Sequence, residues 1–268
     1  MCGGQRHGGE KHSHFSRKLI ELLQEQIDRH EQEHNEQRII NLRIAMAFVY
    51  SGQQEYELCF QELKQCNEVC REKEYHILGA LARQKMVLTL FMLGNSEAAL
   101  SISKEALAEF EAIGDVGSVA PSLVVIADAQ HELHQLDEAL SSCELVLNLA
   151  QDFHLVNKAT CLMGVIYSEK ALLCKEHSDN DGANAMLHMS KKWFTEARNQ
   201  AIKTNDEFFI LKVDMDIAST QCEELIDETE KYDTVVQFFE NLIDRAEKLK
   251  FPMLLDNIYI YSLCKLFI

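Results

Sequence analysis

Residues that break regular structure are scarce in this chain, which has two prolines and eleven glycines in 268 residues. An all-β protein needs turn residues about every 8 to 12 positions, so the scarcity argues against that class and for helices. No run of about 18 uncharged apolar residues occurs, and no membrane span is expected. The opening MCGGQRHGGEKHSH lacks the apolar stretch of a secretory signal, and glycine follows Cys2 rather than Met1, so the myristoylation pattern is missing too. Cytoplasmic residence is the resulting expectation. Basic residues are also short, 26 against 43 acidic for a formal charge of −17, which argues against a nucleic-acid or membrane-surface role. That acidity suits either a basic partner segment or the ordinary solubility of an exposed helical surface.

Nine cysteines carry no CxxC spacing and are odd in number. Most fall along apolar helix faces, where free cysteine acts as a small hydrophobe. Cys66 and Cys70 stand one helical turn apart, but two ligands are too few for a zinc site. There is no Gly-rich phosphate loop and no nucleophile elbow. The sequence offers no cofactor site and no enzyme chemistry.

Leu, Ala, Glu, Gln and Lys dominate the segments between the few breakers, and apolar residues recur in them at helical spacing. After a Gly- and His-rich tail, read as disordered over residues 1–13, the pattern predicts a helix over 14–34. Helix pairs follow over 37–72, 75–113, 117–151, 156–203 and 207–250, and a last helix over 253–267. Gly52 is placed where a helix end needs positive φ, Gly94 and Asn95 split the second pair, and Pro121 stands near a helix start, where its missing N–H costs nothing. Aligning Ala99 with Ala139 gives a period of 40, and aligning Gly52 with Gly94 gives 42. A period of this size makes the unit a helix pair that cannot bury its apolar face alone, so the fold class is an all-α solenoid of stacked antiparallel hairpins, here a single array over 14–268. The last helix, apolar nearly all round, needs cover and makes self-association possible.

Three motifs suggest chemistry and are better read as ordinary structure. His30-Glu31-Gln32-Glu33-His34 fits H-E-x-x-H, yet its flanks EQIDR and NEQR are a solvated run and no third ligand is evident, so a zinc hydrolase there is a remote reading. The loop from His177 to Gly182 looks like half a calcium loop, but His177 and His188 stand where that loop needs carboxylates. His7, His12 and His14 could grip a metal only adventitiously.

In the clearest copy, Met86, Val87, Leu90, Gly94, Ala99, Ser103 and Ala106 fall on the signature places of tetratricopeptide repeats, which the chain resembles, in particular the 40 to 42-residue variety of kinesin light chains and spindle-orientation adaptors. The next copy has Ile126, Ala127, Gln130, His134, Ala139, Cys143 and Val146 there. The first has Ile44, Ala45, Phe48 and Gly52; a later one has Met163, Gly164, Tyr167, Phe194 and Ala197. The resemblance implies a right-handed superhelix and a protein or peptide partner held in a concave groove. By alignment that groove falls on Arg43, Gln84, Lys85, Leu88, Asp128, His131 and Lys158, with Leu42, Met46, Val124, Cys161 and Val165 either beside them or in the core between repeats. The asparagines that clamp a peptide carboxylate in chaperone-binding members are absent from these places. The expected function is a non-enzymatic scaffold or adaptor, the alternative being a structural subunit that binds through its outer face and apolar tail.

Overall fold

In the computed structural model, which describes residues 6–225 and 232–249, every element among the described residues is helical. The order is α1 Arg6–Gln32, α2 Glu36–Gly52, α3 Tyr56–Glu72, α4 His76–Met92, α5 Ser96–Ile113, α6 Val116–Glu132, α7 Leu136–Leu149, α8 Phe153–Glu176, α9 Asn180–Thr204, α10 Glu207–Leu225 and α11 Tyr232–Leu249. The expected last helix, 253–267, lies outside the described residues. The chain divides into two compact units, residues 1–133 and 134–268. The boundary falls inside the expected pair 117–151.

One turn geometry recurs from the end of α1 to the start of α7. Residues 34, 54, 74, 94, 114 and 134 all have positive φ, one every twenty residues, although only Gly94 and Gly114 among them are glycine. At the α4 to α5 turn, Asn95 N–H donates to the Leu90 carbonyl at 2.9 Å and Gly94 N–H to the Phe91 carbonyl at 3.0 Å. At the α2 to α3 turn, Glu55 and Gln54 repeat both bonds onto Tyr50 and Ser51, each at 3.0 Å. These paired bonds satisfy carbonyls that a helix end leaves open. The next residue then caps the following helix, as Asn95 does by accepting from Ala98 N–H at 3.1 Å.

This register corrects three expectations. Gly52 is the last residue of α2 and does not carry the positive φ; Gln54 does, at 62°. The period is therefore 40, and the first copy of the signature is Met46, Ala47, Tyr50 and Gln54, two residues beyond the expected set. Met46 and Ala47 are buried like Met86 and Val87, whereas Phe48 is 51% exposed. Pro121 lies in the second turn of α6, which begins at Val116, so its missing N–H withdraws the helical donor from the Gly117 carbonyl. At the N-terminus, α1 starts at Arg6 rather than 14. The apolar stripe from Phe15 marks the part that packs, and a helix once nucleated extends through polar residues at little cost.

Within the first unit each helix packs on the next, and α4 also approaches both α2 and α6 directly. The even-numbered helices therefore share one side and the odd-numbered ones the other. Ile40, Ile44, Leu63, Cys66 and Met86 fill the space among α2, α3 and α4, and Val87, Leu90 and Ala99 that between α4 and α5. Full burial of a side chain such as Leu63, 1% exposed, contributes about 2 kcal/mol. Burial also pushes the Cys66 thiol up to about 12, so it is an inert core residue.

The second unit has longer members: α8 has 24 residues and α9 has 25. They approach closely at Gly164, where an added Cβ would stand 2.7 Å from the Phe194 ring. Leu211, Met215 and Ala218 of α10 pack on Phe239, Leu242 and Ala246 of α11. Asp214, buried in α10, accepts from Arg198 Nε of α9 at 2.6 Å and from Arg245 Nη1 of α11 at 2.7 Å, tying three helices through one carboxylate.

Candidate functional site

The forty-residue register puts the same face of α2, α4 and α6 on one side of the first unit. On α4 that face reads Ile77, Leu81, Lys85, Leu88 and Met92, spaced by three or four, so the side chains line up along the helix. Ile77 is 83% exposed and Met92 60%, and Leu81 and Leu88 are exposed as well. Isolated exposed apolar residues are normal on a surface, whereas four along one helix face make a candidate contact surface. On α2 the register gives Ala45 and Phe48, and Lys85 Nζ lies 4.7 Å from the centre of the Phe48 ring, a cation–π contact between neighbouring helices. On α6 it gives Pro121, Val125, Asp128 and Glu132.

Two cavities share Val125 along the cleft between α4 and α6, with α5 as the floor. The one at the Ile77 end, about 250 Å³, is walled mainly by apolar side chains including Leu81, Val87, Phe110 and Pro121. The one at the Leu88 end, about 900 Å³, is polar and more open, and Glu97, Asp128, His131 and Glu132 line it. A smaller hollow of about 100 Å³ between α2 and α4 is bounded by Phe48, Lys85, Leu88 and Met92. Beneath the cleft, Arg83 is 4% exposed, donating from Nη1 to Asn67 Oδ1 at 2.8 Å and from Nη2 to Glu109, so its charge is spent on joining α3, α4 and α5.

The structure gathers Leu88, Asp128 and His131 around one cavity, places Gln84 at the other, and sets Lys85 over Phe48. Arg43 stands apart. It pairs with Glu62 of α3 at 3.0 Å and comes within 3.9 Å of Glu31. Its counterpart in the register is Arg83, not Lys85, and the two-residue slip at Gly52 is what put it in the groove. Lys158 belongs to the second unit. There Cys161 and Val165 of α8 pack with Phe194, Phe209 and Val213, and Cys161 Sγ donates to Asp216 at 3.2 Å. Burial raises both the Cys161 thiol and the Asp216 carboxyl. Ile77, Leu81, Phe48 and Met92 were missed from sequence, though an alignment at 40 rather than 42 would have found Phe48.

Among the described residues no group of three His, Cys, Asp or Glu side chains could hold a metal ion. His34 lies beyond the end of α1 at φ 55°, and His30 Nδ1 is 2.8 Å from Glu33 Oε2, so the two histidines of the H-E-x-x-H pattern do not share a helix face. Asp179 caps α9 by accepting from Gly182 N–H at 2.9 Å, which explains the calcium-like loop as a helix start. No helix among the described residues is long and apolar enough to cross a membrane.

No family model matches the sequence, and no curated protein does either. Solved structures do match. The apo form of the quorum sensor NprR from B. thuringiensis aligns at 16% identity and TM-score 0.60, over 92% of this chain and 68% of that one. Nearly identical TPR-like repeats of a putative kinesin light chain from Podosopora anserina align at 12% identity and TM-score 0.56, over 79% of this chain and 96% of that one. The fold is tetratricopeptide-like. NprR in complex with its cognate peptide NprX also matches, at 16% identity and TM-score 0.57, over 94% of this chain and 70% of that one. At these identities the likeness establishes the tetratricopeptide-type fold alone.

Proposed function

We propose that the chain is a non-enzymatic protein-interaction scaffold whose first unit binds a partner peptide or helix along the cleft between α4 and α6. The observation that carries this reading is the exposed stripe Ile77, Leu81, Leu88 and Met92, held on a rigid helix beside two cavities. Covering such side chains is the main favourable term in association. A protein of the same fold, NprR, is solved with its cognate peptide, which supports a peptide as occupant. Arg43 and Lys158 are left out of the contact surface; Gln84, Lys85, Leu88, Asp128 and His131 remain in it. The stripe favours this over binding through the outer face, whose proposed apolar tail lies outside the described residues.

The test is a photo-crosslinking amino acid placed at Leu88, in the cleft, or at the equally exposed Leu58, on the opposite side on α3. In cells expressing the full chain, an adduct should form from position 88 and not from 58, and Leu81→Asp should suppress it. Adducts from 58 alone, or from both positions irrespective of Leu81→Asp, would refute the cleft.

A further inference from the structure

The cleft is not uniform along its length, and its two ends call for different chemistry in one ligand. At the Ile77 end the walls are mainly apolar; their one carboxylate, Asp115, accepts from Ser118 Oγ at 2.7 Å, and their one cation, Arg83, is buried and already bonded to Asn67 and Glu109. At the Leu88 end the ionisable lining is three carboxylates, Glu97, Asp128 and Glu132, against one histidine, His131. The N-terminus of α5 beside them adds a partial positive charge of roughly half a unit, too small to cancel even the two exposed carboxylates, Glu97 and Glu132. Glu97 and Glu132 are exposed at the rim. The chain as a whole carries −17, so its long-range field favours the same sign of ligand.

From this asymmetry we propose, resting on the cleft reading above, that the occupant is an amphipathic segment with a fixed direction. Its apolar side chains lie against the Ile77 half, and lysines or arginines at its other end face Glu97 and Glu132. The apolar end supplies affinity, because it removes exposed surface from water. The basic end supplies direction and association rate, because rim charges screened by solvent contribute little to affinity singly but penalise a reversed or acidic ligand.

Three labelled synthetic helical peptides test it on the intact chain by fluorescence anisotropy. One carries leucines on one face of its first two turns and lysines on the last two. The second replaces those lysines with glutamates, and the third scrambles the leucines. The lysine peptide should bind about tenfold or more tighter than the glutamate peptide, an advantage that shrinks as salt is raised. Glu97→Lys with Glu132→Lys should reverse the preference; both sites are exposed, and circular dichroism confirms that the helices persist. If the lysine and glutamate peptides bind equally, are both weakened by Leu88→Asp and both exceed the scrambled one, the charge assignment falls while the cleft stands. If the lysine peptide binds but Leu88→Asp changes nothing, or if no peptide binds, both readings fall.

Discussion

The two units use their even-numbered helices in opposite ways. In the first, α4 and α6 stand beside each other with a cleft between them, and the stripe from Ile77 to Met92 is left to solvent. In the second, α8 and α10 close on each other, because Cys161 and Val165 meet Phe209 and Val213, and Cys161 donates to Asp216. The helices that open are short and strictly spaced; of those that close, α8 belongs to the longer α8–α9 hairpin, which approaches closely at Gly164, and α10 is tied to α9 and α11 through Asp214. One helical-hairpin plan thus yields an open cleft or a packed joint, depending on whether the facing side chains find partners within the chain.

The comparison can be broken at its fastenings. Asp214→Ala leaves two half-buried guanidinium groups without their carboxylate and should destabilise the second unit by about 3 kcal/mol. The single tryptophan, Trp193 in α9, reports on that unit, so its fluorescence in a denaturant titration reads the loss; an unchanged midpoint would mean the carboxylate does not hold the three helices. Gly164→Ala should cost about 2 kcal/mol by driving Cβ into the Phe194 ring, despite the better helix propensity of alanine. A gain in stability would show that the ring moves aside freely.

The opposite sign is expected in the first unit. Gln54 and Glu74 hold φ of 62° and 56°, which an L side chain adopts at a cost of roughly 1 kcal/mol that glycine avoids. Gln54→Gly and Glu74→Gly should therefore each raise stability, by about 0.5 kcal/mol once the greater freedom of the unfolded glycine is counted. Thermal melts followed by circular dichroism check this; a lower melting temperature for both would mean these side chains make contacts worth more than the strain.

Much of this fold is visible in the residues. Gly94 and Gly114 mark two turns because they provide the positive φ that those turns need. Other turns are silent because His34, Gln54, Glu74 and His134 adopt the same conformation without glycine, driven by the carbonyls each turn satisfies. Gly52, two residues early, then draws the alignment to 42 and carries Arg43 into the groove. The site was legible in part. Lys85 and Leu88 follow from a well-aligned copy, whereas Ile77, Leu81 and Met92 were not singled out, since a helix stripe does not announce whether another helix covers it.

The most direct test of the central claim is hydrogen–deuterium exchange on the intact chain with and without the lysine-ended amphipathic peptide. The account predicts slowed exchange in α4, α6 and the first turn of α5, with α3 and the second unit unchanged. Protection confined to the outer helix α3 or to α8 and α10, with α4 and α6 unaffected, would contradict it.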